Sequence, residues 1–305
     1  MIREIEIQGF RCLRSVRLTF TPLTVLVGPN GSGKSAILES LGNFRPDYSA
    51  FWRKEAGLVP KRIATFADGR RSEQPMWGGP NEWTYLRLDL EPSQLRAATQ
   101  VQEARLLDVN GSNLVNVFAT LTRKHQEEVS RRLCELVPLY ADVNARPQPG
   151  YVGQHRLIFQ DRWDERVWYE LDEVSDGTVL LLAFLTLPYM SPPVQVVGIE
   201  EPEHALHPFL VSEVVSMLRR LAKGTLAAQP VQVVLATHSP YLLDCCEPEE
   251  VRFLKRDLVD GSTIVEQAPT GTAEWKAACA EYRNSLGEMW LSGGLGGVPG
   301  VPVSA

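Results

Sequence analysis

Three features of the 305-residue chain predict an α/β fold with a mostly parallel sheet. Its final third alternates apolar strands with helical stretches, its opening reads as short strands, and a glycine-rich loop joins the third strand to a helix. Strands that alternate with helices form one sheet, because each crossover helix returns the next strand parallel to the last.

At the N-terminus, IREIEIQ and SVRLTF alternate apolar and polar residues, as half-buried strands do. LTVLV is apolar throughout, the pattern of a strand covered on both faces. The spacing of Ile37, Leu38 and Leu41 predicts a helix directly after the glycine-rich loop. Residues 44–82 are rich in Pro, Gly and Arg without period and read as a long irregular insertion. EWTYLRLDL alternates as a strand, and residues 93–108 and 114–137 read as helices. In the second of these, Leu121, Val129, Leu133 and Leu136 form an apolar stripe. Pro138, Pro147 and Pro149 close that region, and HRLIFQD with ERVWYEL then resembles a hairpin. A helix over 176–187, the strand VQVVGI, a helix over 208–222 and the strand VQVVLA complete the sheet, and the tail GGLGGVPGVPVSA is expected to be mobile.

Composition narrows the class. The chain is 44% hydrophobic and 22% charged, enough to bury a sizeable core. No apolar run reaches the roughly 18 residues of a membrane span, and the opening residues lack the apolar centre of a signal peptide. Cys12, Cys134, Cys245, Cys246 and Cys279 show no metal-ligand spacing, so free thiols in a reducing, cytoplasmic setting are expected, with Cys245 and Cys246 as packing fillers rather than a redox pair. The net charge of −6 is unevenly spread, the first half being basic and the second acidic. Arg45, Arg53, Lys54, Lys61, Arg62, Arg70 and Arg71 form a run that reads as a solvated loop or, alternatively, as a surface for DNA or RNA phosphates.

Gly28-Pro29-Asn30-Gly31-Ser32-Gly33-Lys34-Ser35, followed by Ala36, matches the phosphate-loop pattern G-x-x-x-x-G-K-[ST] in the strand–loop–helix setting it requires. Crowded, anionic phosphate oxygens need inward-pointing backbone N–H groups, and small residues let the chain come close. The helix that follows adds the positive end of its dipole. Lys34 is expected to neutralise the β- and γ-phosphates of ATP, and the Ser35 hydroxyl to ligate Mg²⁺. The apolar strand ending at Glu200-Glu201 delivers two carboxylates to the same sheet edge, Glu200 for Mg²⁺ and Glu201 to orient or deprotonate the attacking water. His238, in Ala-Thr-His-Ser-Pro after the last strand, is placed to sense the γ-phosphate. Glu203, His204 and His207 crowd together, but no well-spaced further ligand accompanies them and Pro208 reads as a helix start.

These motifs resemble the ABC-type AAA family of ATPases, in the RecF/SMC/OLD-like branch, over roughly residues 1–45 and 150–255. The resemblance implies a P-loop ATPase core over 1–45 and 150–260, a compact inserted lobe with a short helical hairpin over 46–149, and a C-terminal extension over 261–305. It implies that Ser175-Asp176-Gly177-Thr178 is the branch's signature segment, which packs in trans on the γ-phosphate held by a second copy. Ser175 is a donor there, Gly177 allows close approach, and the following helix presents its N-terminus. Ala205, Leu206 and His207 resemble the D-loop that crosses the dimer interface, and Gly9-Phe10-Arg11 the first turn, with Arg11 near the nucleotide.

Two departures stand out. The family's cation-binding acid is usually Asp, where this chain has Glu200, one methylene longer. No glutamine loop is evident, with Gln74 and Gln94 as candidates. About 140 residues separate Ser35 from Ser175 and contain no heptad run, which excludes a long tethering arm. The resemblance implies an ATP-driven homodimer acting on DNA maintenance or antiphage defence with a separate, TOPRIM-like or other effector protein. The rival readings are a nucleotide sensor that regulates a nuclease or toxin with negligible turnover, and a transport ATPase subunit. Transport fits poorly because the S-G-G-Q signature is absent, and a P-loop kinase would leave Glu201 and His238 without roles.

Overall fold

Every residue of the third strand is buried, and the rest of the molecule is organised around it. The computed structural model describes residues 1–43, 51–52, 59–76, 81–97, 99–227 and 229–293. The third strand, β3 (Leu23–Val27), lies inside a six-stranded sheet of order β13-β12-β3-β11-β10-β6. Its members are β6 (Tyr85–Leu88), β10 (Val196–Glu200), β11 (Gln232–Thr237), β12 (Val251–Arg256) and β13 (Thr263–Gln267). All neighbours pair parallel except the β12–β13 hairpin. Four buried aliphatic side chains on β3, Leu23, Val25, Leu26 and Val27, each worth roughly 1.5–3 kcal/mol when fully buried, explain its apolar character.

A second, antiparallel sheet has the order β2-β1-β4-β5, from β1 (Ile2–Phe10), β2 (Leu13–Thr19), β4 (Lys61–Phe66) and β5 (Arg71–Pro75). Its inner residues Ile5, Ile7 and Phe10 share a core with Ile37 and Leu38 of α1 (Lys34–Ser40), which lies between the two sheets. The opposite face of the central sheet is covered by α5 (Asp176–Thr186) and α6 (Pro208–Ala222). Of the eleven residues of α5, only Asp176 is exposed, so the helix is apolar on all sides.

The strands β4 and β5 correct the expectation of an irregular insertion over 44–82. Lys61–Phe66 lacks clean alternation because Arg62 is turned inward, 1% exposed. Its guanidinium donates to Ser40 O at 2.8 Å and Gly42 O at 2.5 Å and stacks 4.7 Å from the Trp83 ring. It therefore closes the C-terminal end of α1, where helix carbonyls lack partners of their own. Burial lowers its pKa to about 10. Of the other described members of the basic run, Lys61 pairs with Glu73 and Arg70 with Glu82, while Arg71 stays exposed. Arg45, Arg53 and Lys54 lie outside the described residues, as does the tail after Gly293.

The predicted helix over 93–108 shrinks to α2 (Pro92–Leu95). Beyond it the backbone donors go elsewhere: Val101 N to Gly153 O at 2.7 Å, and Ala104 N to Thr120 Oγ1 at 3.0 Å. The helix expected over 114–137 is two, α3 (Leu114–Thr120) and α4 (Arg123–Leu136), broken where Leu121 turns extended and Thr122 caps α4 through His125 N. Residues 46–149 thus do not stand apart as one helical lobe. Strands β4, β5 and β6 belong to the two main sheets, and α3 and α4 pack with a third sheet of β7 (Tyr140–Pro147), β8 (His155–Asp161) and β9 (Trp168–Glu170). The hairpin expected from HRLIFQD and ERVWYEL is β8–β9. At the C-terminal end, α7 (Pro240–Leu243) is packed by α9 (Leu286–Leu291), preceded by α8 (Ala273–Glu281). Among the described residues, no helix is long and apolar enough to cross a membrane.

Candidate active site

The loop between β3 and α1 forms one wall of a cleft of about 830 Å³, within the range of small-molecule sites. Asn30, Gly31, Gly33, Lys34, Ser35, Ala36 and Arg11 line it, together with Glu200 and Glu201 from the end of β10. The predicted residues Gly28, Pro29 and Ser32 do not line it and build the loop's frame instead. A Cβ on Gly28 would lie 2.4 Å from Leu254 O of β12, and one on Gly33 would lie 2.4 Å from Thr263 Oγ1 of β13. Gly33 also sits at φ 112°, which L side chains rarely adopt. At these two positions glycine is required by the hairpin packed behind the loop. Thr263 Oγ1 further donates to Ser32 O at 2.8 Å.

Lys34 is 7% exposed, and its ammonium donates to Gly28 O at 2.7 Å and Pro29 O at 3.1 Å. Burial pulls its pKa down, opposed by the carboxylates of Glu201, Glu200 and Glu203. The Ser35 hydroxyl donates to Glu200 Oε2 at 3.0 Å, bringing the two predicted cation ligands together. Burial raises the Glu200 pKa, while Ser35 and Arg87 work against the rise. Glu201, the next residue, takes φ 40°, a left-handed conformation uncommon for a non-glycine. Its N–H donates to Ala236 O at 2.8 Å, and its Oε1 lies 2.8 Å from His238 Nδ1. Glutamate 203 is directed inward: Thr237 Oγ1 donates to one oxygen, the other is buried without a partner, and burial pushes its pKa up.

Ser175 is exposed at the N-terminus of α5, where its hydroxyl accepts from Thr178 N at 3.2 Å. Asp176 pairs with Arg96 at 2.6 Å. Gly177 faces Ala205, and a Cβ there would lie 2.7 Å from Ala205 O. Thr178 is the inward member of the segment. It is 3% exposed and its Oγ1 lies 2.8 Å from Ser175 Oγ, so it serves the cap from within. Ala205 (φ 58°) and His207 are exposed and Leu206 is half-buried, with His207 Nδ1 accepting from Phe209 N at 3.3 Å to cap α6. None of Ser175 to Thr178 or Ala205 to His207 lines the cleft that holds Lys34.

Neither Gln74 nor Gln94 reaches the cleft. Gln74 accepts from Arg62 at 3.3 Å and Gln94 from Asn110 at 3.4 Å. Among the described residues no group of three His, Cys, Asp or Glu is arranged to hold a metal, which removes the Glu203–His204–His207 alternative. Cys245 and Cys246 are free thiols, with Cys246 buried and its pKa well above the usual value. Sequence reasoning missed several residues on the cleft. Arg256 at the end of β12 donates to Gly31 O at 2.6 Å, and Asp260 and Gly261 follow it on the hairpin. Arg87 on β6 does not line the cleft but reaches Glu200 Oε1 at 3.1 Å. Alternation of Leu86 and Leu88 into the core could have placed Arg87 on the opposite face, but nothing local names its partner.

Comparison with known proteins bears on the family and the fold. A family model described as "AAA domain, putative AbiEii toxin, Type IV TA system" matches residues 92–244, and one described as "AAA ATPase domain" matches residues 1–67. An OLD nuclease from Thermus scotoductus is 40% identical over 342 aligned positions, covering 85% of this chain. The chain spans 63% of that protein's length. An SMC head bound to the C-terminal winged-helix domain of ScpA matches with a TM-score of 0.60 at 14% identity, over 89% of this chain and 99% of that one. An SMC head with an extended coiled coil, solved with the C-terminal domain of ScpA from Pyrococcus furiosus, gives 0.59 at 12% identity, over 92% and 99%. These two likenesses establish the fold, a P-loop ATPase head.

Proposed function

Because the chain belongs to the AAA family of ATPases, we propose that it is an ATP-dependent dimerisation switch of the ABC-type branch that includes RecF, SMC and OLD proteins. One observation carries this reading: Ser175 is exposed at the head of α5 and lies outside its own chain's cleft. On this reading the cleft residues act from one chain and the segment at Ser175 from the other, so that two copies would complete two sites.

Each residue then has a task in the ATPase reaction. Lys34, freed from its loop carbonyls, neutralises the β- and γ-phosphates, and the loop's N–H groups cradle them. Ser35 and Glu200 offer a hydroxyl and a carboxylate 3.0 Å apart, an all-oxygen set that suits Mg²⁺. When bound, such a cation adds positive charge beside the phosphate oxygens. Glu201 orients the attacking water and accepts its proton, and His238 holds Glu201 while facing the γ-phosphate. Ser175 and the N-terminus of α5 supply donors from the second copy, with Ala205 and His207 at the same boundary. Arg11 stands at the rim of the cleft. Buried triphosphate charge favours the closed pair, and loss of the γ-phosphate removes that differential contact.

The 40% identity to an OLD nuclease supports action on DNA, in maintenance or antiphage defence, with a separate effector of TOPRIM-like or other type. A second reading, a sensor that regulates a nuclease or toxin with little turnover, is favoured by Glu200 standing where the family usually has Asp. Steady-state phosphate release, with and without DNA, separates the two. Release of many phosphates per chain supports the switch, and release of one or fewer supports the sensor.

A further inference from the structure

Arg87 belongs to no motif, yet its guanidinium joins two carboxylates, Glu200 on the cleft and Glu39 on α1. One nitrogen lies 3.1 Å from Glu200 Oε1 and the other 3.1 Å from Glu39 Oε1. Glu39 follows Ser35 by four residues on α1, so the two share a helix face. Arg11 holds the second oxygen of Glu39 at 2.8 Å. The second oxygen of Glu200 accepts from Ser35 at 3.0 Å. Ser35, Glu200, Arg87 and Glu39 thus make a ring closed by one turn of α1. The Glu39 and Glu200 side chains are only 14% and 9% exposed.

We propose that Arg87 is a positioning residue of the cation site, holding Glu200 by one oxygen so that its other oxygen is aimed at Ser35. We propose further that the extra methylene of Glu over Asp is what lets one carboxylate span from Arg87 to Ser35. The proposal rests on the reading of Ser35 and Glu200 as cation ligands. A buried carboxylate is costly without partners, and the planar guanidinium fork fixes its direction as a lysine ammonium cannot. Residues that orient a metal ligand from behind are worth roughly 10–100-fold in metal affinity. An Asp at position 200 would draw the carboxylate back by about 1.5 Å, one carbon–carbon bond. From contacts of 3.0 and 3.1 Å it would keep at most one.

The test is binding of a fluorescent ATP analogue to the full chain, titrated with Mn²⁺ and repeated in excess EDTA. R87Q is expected to raise the Mn²⁺ concentration for half-maximal binding about tenfold and to leave binding in EDTA unchanged. R87K, which restores charge without the fork, recovers part of the loss. E200D shows a comparable loss, and adding R87Q to E200D changes it no further, because the coupling is already gone. A native Mn²⁺ dependence in R87Q, an equal loss in EDTA, or additive effects in the double variant would overturn the proposal. Should R87Q not fold, native behaviour of both R87K and E200D would overturn it equally. If the native chain binds the analogue with no Mn²⁺ dependence at all, the cation reading of Ser35 and Glu200 falls together with the proposal. A dependence present in the native chain and unaltered in R87Q removes the proposal alone.

Discussion

His238 Nδ1 lies 2.8 Å from Glu201 Oε1, a contact that ties together the ends of the adjacent strands β10 and β11. The residue read as the γ-phosphate sensor therefore holds the residue read as the base. Both side chains remain partly exposed, 50% and 40%, and so are open to a ligand. His238→Ala is expected to lower ATP turnover at least about tenfold, less than the roughly 10²-fold or more that the proton-transfer group itself is worth, because Glu201 persists. Nucleotide binding should persist, because Lys34 and the loop are untouched. Parallel measurement of turnover and of analogue binding checks both halves.

Gly177 and Ala205 bring together the segments read as the signature and the D-loop. In Gly177→Ala the new Cβ would lie 2.7 Å from a backbone carbonyl, which cannot swing aside as a side chain can. Relief from glycine in a helix favours Ala by about 1 kcal/mol, and the collision opposes it by roughly 1–3 kcal/mol. The collision is expected to win by about 1 kcal/mol, read by urea denaturation. ATP-dependent pairing should be lost, because both exposed segments shift together, while each single chain still binds nucleotide.

Arg62 is a structural cation, not part of a nucleic-acid surface. Arg62→Ala would strip partners from Ser40 O and Gly42 O and leave a void beside Trp83. A loss of about 3 kcal/mol in unfolding free energy is expected from unsatisfied buried carbonyls plus lost packing. Chemical denaturation of the two chains measures it directly.

Glu203 makes stability depend on pH with a definite sign. Burial raises its folded pKa above the ordinary 4.5. The folded chain then keeps this proton over a window in which the unfolded chain has released it. Stability from this group is full below the unfolded value and is lost as pH rises through the folded value. Glu203→Gln cannot ionise, so its stability relative to the native chain should improve as pH rises from about 4.5 upward, then level off. Thermal unfolding across that range, compared between the two proteins, would show a constant difference if the carboxyl were not held in this way.

Much of the site is legible in the sequence because it is local. Gly28 to Ser35 sit on one loop, Glu200 and Glu201 end one strand, and His238 ends the next, so each motif carries its own context. Ser175 is legible as a helix cap, and its exposure follows from the cap's geometry. What stays hidden depends on register between distant segments. Residues 61–75 become strands only because β1 offers its free edge, and Arg62 turns inward only because α1 ends above it. Arg87 meets Glu200 because β6 joins the sheet's edge beside β10, a pairing 113 residues apart in sequence. Thr178 is the converse case, a motif residue whose side chain is turned into its own helix cap.

The association state of the Glu201→Gln variant with ATP tests the switch most directly. Removing the base should cut turnover by roughly 10²-fold or more and leave the triphosphate in place. Light scattering should then report a stable dimer with ATP and a monomer with ADP, and Ser175→Arg in the same background should abolish the dimer. A Glu201→Gln chain that binds ATP and stays monomeric at every concentration would contradict the account.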